Sequence, residues 1–325
     1  IVTGLPFFWV TIILALVALS YSVAFGLRAS IITDLLKVNL IFVLGLILIS
    51  WAIHRGGGLT MVLAGVGGLN GEFRNLFDGN GLMVFLTFGL PTTIGLMSGP
   101  FGDQSFWQRA FAVNEKKVKQ AFIFGALIFG VVPIMMSFLG FLGAGMQMTS
   151  LEPQLINIEV VSKLLPAWTM VLFAYLIMSG LISALDSHIT AIESVGGHDL
   201  LNRSGELTKP ASEKKAIRWA RITPIVLTIV AIAIANIPRM QILYLFLFYG
   251  TLRASTLLPT VITLLRKNPA NEAGVFWGIL LSICVGLPIF AYGNFAKVTP
   301  LIIIGSLVAV SASGIITLVC TEKRK

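Results

Sequence analysis

Long stretches without a charged residue decide what this chain can fold into. Nine follow one another, at 1 to 27, 38 to 53, 79 to 102, 120 to 151, 164 to 185, 222 to 238, 240 to 265, 273 to 296 and 298 to 321, the seventh interrupted only by Arg253. A helix needs about 20 such residues to cross a bilayer. Leu, Ile, Val and Phe recur within them with no alternation of polar and apolar positions, which argues against the strands of a membrane barrel. Only 11% of the 325 residues are charged and 56% are hydrophobic, against about 25% charged in a soluble domain. That leaves too little polar surface to wrap water-soluble cores. The expected fold class is therefore all-α: a polytopic helical membrane protein of about nine transmembrane helices, in a single transmembrane domain over 1–325.

The formal charge of +9 has a topological reading. Loops on one side of the nine stretches carry 17 of the 23 Lys and Arg residues and the opposite loops carry 5. Lys and Arg accumulate in cytoplasmic loops, so the C-terminus is expected in the cytoplasm and the start of the first span outside, in a cell membrane. No basic face is interleaved with stacking aromatics, so the expected partner is the lipid bilayer and not a nucleic acid. Cys284 and Cys320 form neither a disulfide framework nor a metal spacing. The chain opens on Ile1 with no charge before Arg28, unlike a signal peptide, and further residues are expected upstream. The glycine-punctuated stretch 56 to 80 reads as a flexible external loop, with an interfacial or re-entrant segment as the alternative, and 199 to 221 as the longest cytoplasmic loop.

Two spans carry polar chemistry. The third contains Gly89, Pro91, Gly95, Ser98, Gly99, Pro100, Phe101 and Gly102, followed by Asp103 and Gln104. Proline removes a helix donor and glycine favours non-helical backbone, so a break is expected near 98 to 102. In lipid such a break is tolerated only where the freed backbone groups face protein or a water-filled cavity, and in transporters it forms the substrate site. Asp103 also fits a plain helix end. In the fifth span Ser183, Asp186, Ser187, Thr190 and Ser194 share one helical face. A carboxylate at mid-span costs about 2.5 to 3.5 kcal/mol on insertion scales. Hydroxyls gathered around Asp186 therefore suggest a hydrated path or a site of hard oxygen ligands for a small cation; the alternative is hydroxyls bonded back to their own helix carbonyls with Asp186 at the cytoplasmic mouth.

Catalytic residues and cofactors are not expected. Gly102-Asp103 with Asp186 invites comparison with an intramembrane aspartyl protease, but residue 100 is Pro where that pattern needs Gly, and nothing brings the two carboxylates together. No nucleophile elbow, zinc-binding helix or phosphate-cradling loop occurs.

At these residues the chain resembles the sodium:solute symporter family. The similarity is carried by the segment from Tyr21 through Gly26, Arg28 and Thr33 to Asp34, by Phe101 through Asp103, Gln104 and Trp107 to Gln108 and Arg109, by Ser183 through Asp186 and Ser187 to Asp199, and by Gly250 through Arg253 to Ser255 with Pro259. The resemblance implies two inverted five-helix repeats, with 1–55 ending the first, 79–265 forming the second, 273–321 as peripheral helices and 322–325 as a cytoplasmic tail. It implies that the first three core helices precede this chain, which would then be the C-terminal two-thirds of a transporter. The implied activity is sodium-coupled symport of a small polar organic solute by alternating access. Its sodium site falls on the Gly180 carbonyl, Ser183 and position 184, where Ala184 stands in place of the usual hydroxyl. Asp186 and Ser187, one turn on, are further candidates for sodium. Substrate contacts are expected from Gly99, Pro100, Phe101, Asp103, Gln104 and Tyr249. The rival class is a membrane sensor or anchoring module of a signalling protein.

Overall fold

The computed structural model of the chain describes residues 4–75, 77–203, 212–237, 242–265 and 271–320. It is helical throughout, with no strand among these residues. The helices are α1 Phe7–Arg55, α2 Gly58–Gly65, α3 Gly79–Val84, α4 Leu90–Gly102, α5 Gln104–Ala112, α6 Glu115–Gly145, α7 Ile156–Leu164, α8 Thr169–Ser194, α9 Leu200–Arg203, α10 Ser212–Ala235, α11 Ile242–Leu265, α12 Glu272–Ala296 and α13 Thr299–Val319. A π-helical turn, Phe85–Gly89, joins α3 to α4 and another, Val195–Asp199, joins α8 to α9. Among the described residues eight helical stretches are long and apolar enough to cross a membrane, so the protein is a polytopic helical membrane protein.

The nine expected spans map onto eight stretches because the first two share α1. At 49 residues, α1 would run about 70 Å if straight, more than twice the roughly 30 Å hydrocarbon thickness. It breaks at Gly26, whose φ of 59° and ψ of −149° are non-helical. Tyr21 and Lys37 lie 16 residues apart, about 24 Å along a straight helix. Lys37 Nζ nevertheless donates to Tyr21 Oη at 2.8 Å. The two arms, 7–25 and 27–55, therefore turn back toward each other, and the expected loop around Arg28 and Lys37 is helix. Charge marks where a chain leaves lipid, whereas backbone hydrogen bonds continue for as long as side chains permit.

The stretch expected as a flexible external loop also holds a helix. α2 crosses α6 so closely that a Cβ on Gly65 would strike the carbonyl of Phe141, and one on Gly145 the carbonyl of Met61. Small residues drive such packing where lipid offers no hydrophobic gain. Likewise, α9 and the first turns of α10 occupy part of the expected cytoplasmic loop, while 204–211 and the expected tail at 322–325 lie outside the described residues.

The chain divides into two compact units, Ile1–Asn75 with Gln108–Ile237, and Leu76–Trp107 with Pro238–Lys325. In the first, Leu48, Ile49 and Ala52 of α1 pack with Val62 of α2, Leu139 and Leu142 of α6, Val160 and Val161 of α7, and Phe173 of α8. In the second, Leu247, Phe290 and Ile302 bring α11, α12 and α13 together. Apolar side chains such as Ile123, Phe124, Leu127 and Phe129 on α6 are exposed, as befits a surface whose solvent is hydrocarbon.

Candidate functional site

Each unit holds a cluster of buried, ion-paired side chains. In the first unit the cluster lies where α1 packs on α8. Asp186, 0% exposed, sits mid-helix on α8. One of its oxygens accepts from Ser30 Oγ at 3.1 Å. The other accepts from Lys37 Nζ at 2.5 Å and from the hydroxyl of Tyr21. Thr33 Oγ1 is 3.5 Å from that second oxygen. Ser187 Oγ, the next residue on α8, is 3.4 Å from the first oxygen; the three nearer partners come from the two arms of α1, and the reversal at Gly26 is what brings both arms to it. Asp34, also on α1, accepts from Ser183 Oγ at 2.5 Å and from Arg109 Nη2 at 3.0 Å. Arg109 also reaches Ser187 Oγ at 2.6 Å. Two carboxylates, two cations and a set of hydroxyls therefore satisfy one another, as a charge in low dielectric requires.

The second unit's cluster stands at a helix break. The helix continues through Pro100 to Gly102, and the break expected near 98 to 102 falls on Asp103, which is extended at φ −115° and ψ 116°. The missing donor of Pro91 is absorbed by the π-helical turn just before it, which shifts the hydrogen-bond ladder without ending the helix. Asp103 then starts α5 as an N-cap, its Oδ1 accepting from Ser105 N at 2.9 Å. Its Oδ2 accepts from Tyr249 Oη at 3.0 Å and pairs with the Arg253 guanidinium. That guanidinium lies over the Tyr249 ring, 4.0 Å from its centroid, a favourable cation–π distance. Beside the cluster α4 and α11 form a small, partly open cleft lined by residues that include Pro91, Thr92, Gly95, Tyr249 and Arg253. Two polar atoms of its lining residues, Thr92 Oγ1 and Arg253 Nε, are buried without a hydrogen-bond partner. Such groups are uncommon and call for a role.

Family comparison agrees with this architecture. The sequence model of the sodium:solute symporter family matches residues 2–282. The chain belongs to the sodium:solute symporter family. The sodium/pantothenate symporter of Haemophilus influenzae is 23% identical over 313 residues, 93% of this chain and 63% of that protein. The urea-proton symporter DUR3 of Oryza sativa subsp. japonica is 21% identical over 233 residues, 69% of this chain and 31% of that protein. The chain thus spans less than two thirds of the length of either relative. Both relatives are symporters, as the family is, and neither is an enzyme.

Among the residues expected to bind sodium, Ser183, Asp186 and Ser187 join the α1–α8 cluster of this family member, while Gly180 and Ala184 lie exposed one turn apart on α8. Among those expected to bind solute, Asp103 and Tyr249 meet directly, and Gly99 lies against Arg253, whose Nη1 is 3.5 Å from where its Cβ would stand. Pro100 is exposed, and Phe101 and Gln104 are half-buried beside the break. Tyr21, Ser30, Thr33, Asp34, Lys37, Arg109 and Arg253 join these clusters without a site role expected from the sequence. For Arg253 a signal was present, since a lone charge in an otherwise charge-free span needs a partner. Lys37 and Arg109 were counted as loop cations, because nothing local separates a loop lysine from one folded back against a carboxylate.

Proposed function

We propose that this protein is part of a sodium-coupled secondary active symporter that imports a small polar organic solute by alternating access. The observation that carries the reading is the break of a membrane helix at Asp103 beside a cleft whose lining residues carry two unpartnered polar atoms. A soluble solute crossing lipid needs such groups, and freed backbone at membrane depth is tolerated where it lines such a space. Gly99, Pro100, Phe101, Asp103, Gln104 and Tyr249 supply the solute contacts, with Arg253 added from its place on the cleft. Sodium is held by the Gly180 carbonyl and the Ser183 hydroxyl at the turn that includes Ala184, bordered by Asp186 and Ser187. It favours the state open to the outside, since a ligand shifts such an equilibrium only through its differential affinity for the two states. The protein lies in the cell membrane with its C-terminus in the cytoplasm, and its repeats follow the boundaries 1–55 and 79–265. The match to the sodium:solute symporter family supports sodium as the coupling ion.

The test is uptake by the full-length protein in proteoliposomes, with an inward sodium gradient, a proton gradient or neither, across urea, pantothenate, amino acids, monocarboxylates and sugars. Sodium-driven accumulation of one solute, reduced by Ser183→Ala, is the expected result. Accumulation driven by protons alone, or sodium dependence unaltered in Ser183→Ala, overturns the ion assignment.

A further inference from the structure

Four charged side chains of the first unit meet in one cluster, and their formal charges cancel: Asp34 and Asp186 against Lys37 and Arg109. Lys37 is the member whose surroundings match those of a bound metal ion. An ammonium has three N–H donors, and three oxygens stand around this one, Asp186 Oδ2 at 2.5 Å, Tyr21 Oη at 2.8 Å and Thr33 Oγ1 at 3.2 Å. Asp34 Oδ1 follows at 3.7 Å. Ser30 Oγ, 0% exposed, holds the far oxygen of Asp186. Carboxylate and hydroxyl oxygens are the donors that suit hard cations. A buried carboxylate stripped of its counter-charge is strongly unfavourable, so this cage must hold a cation. The chain supplies one on its own side chain.

From this we infer that Lys37 is the resident cation of the Asp186 cage. Its ammonium takes the place that a transported monovalent ion would occupy, so the cage takes up no sodium in the native protein. α1 is held to α8 by a cation that cannot dissociate. Removing the ammonium leaves one uncompensated negative charge in the cluster, which a monovalent cation balances and a divalent one overshoots. Lys37 is thus a determinant of how many ions the protein binds. This goes beyond the symport reading, and the ion count does not depend on it: sodium bound at Ser183 would be a separate ion.

The experiment counts radiolabelled sodium bound per chain by the purified full-length protein, with no solute present, for the wild type and for Lys37→Met, Lys37→Arg and Lys37→Met/Asp186→Asn. Lys37→Met is extracted and purified in sodium throughout, so that the incoming ion can replace the lost charge. The expected result is one additional sodium ion in Lys37→Met, displaced by other alkali cations, and none in Lys37→Arg or in the double variant. A Lys37→Met protein that binds no more sodium than the wild type overturns the inference, as does an added ion that persists in the double variant. Should Lys37→Met not yield monodisperse protein, Asp186→Asn alone decides. A wild-type sodium count that survives Asp186→Asn supports the inference, and a count that falls overturns it. Failure of sodium-driven uptake with this ion count intact would sink the symport reading alone.

Discussion

Asp186 in the first unit and Asp103 in the second are both buried carboxylates facing a cation within an apolar surrounding, and they are held in different ways. Asp103 spends one oxygen on the backbone of its own chain, capping α5 through Ser105 N, and gives only the other to Tyr249 and Arg253. Asp186 sits mid-helix, and its close partners, Tyr21, Ser30 and Lys37, are side chains from α1. A carboxylate tied to a helix terminus is positioned by local geometry and shapes a break. One tied only to side chains takes whatever cation the tertiary fold offers, and its cation is exchangeable by mutation.

The largest effects should separate the two pairs by their response to sodium. Breaking a mostly buried ion pair costs about 3 to 5 kcal/mol, so Arg253→Met and, in sodium-free buffer, Lys37→Met should each lower stability by that order in thermal unfolding of the detergent-purified protein. Added sodium should restore most of the loss in Lys37→Met and none in Arg253→Met. Equal recovery in both would erase the distinction.

Backbone strain gives the next contrast. Gly26→Ala should cost about 1 to 3 kcal/mol, the usual range for holding a residue with a side chain in a sparsely populated backbone conformation. Its new Cβ has room, with Glu193 Oε2 at 3.9 Å as the nearest atom, so the cost lies in the backbone alone. The break at Asp103 uses extended dihedrals open to any residue, and there the cap matters more. Asp103→Asn keeps a capping side chain and loses the charge pair, whereas Asp103→Ala loses both. Their difference in unfolding stability should be about 1 kcal/mol, the usual worth of an N-cap. No difference would mean that Asp103 acts only through Arg253.

The smallest expected effect is that of Tyr21→Phe, which removes one hydrogen bond from a carboxylate that keeps Ser30 and Lys37. If Tyr21 also ligates the ion admitted by Lys37→Met, adding Tyr21→Phe to that variant should weaken its sodium binding. Titration of labelled sodium against the double variant would reveal it.

Much of this protein was legible in its sequence. Uninterrupted apolar runs dictate membrane helices, because the unmet hydrogen bonds of any other backbone are prohibitive in hydrocarbon. Proline and glycine around 89–102 marked a helix break to within one residue of Asp103, since these residues act on the backbone locally. A carboxylate at 186, inside an apolar span, had to find partners. Which partners it found was a tertiary decision. Lys37 stands 149 residues away in sequence, and its meeting with Asp186 depends on a reversal at one glycine inside what is otherwise continuous helix. Charge patterning assigned that lysine to a loop, and with it the boundary between the first two spans. Arg253, conspicuous in its span, acquired Asp103 in the same way, from 150 residues away in the chain, while its other neighbour Tyr249 stands one turn before it on α11. Local chemistry sets where helices run and where they break; which charges cancel across them follows from packing, because a buried ion pair is a property of two positions and neither one alone specifies it.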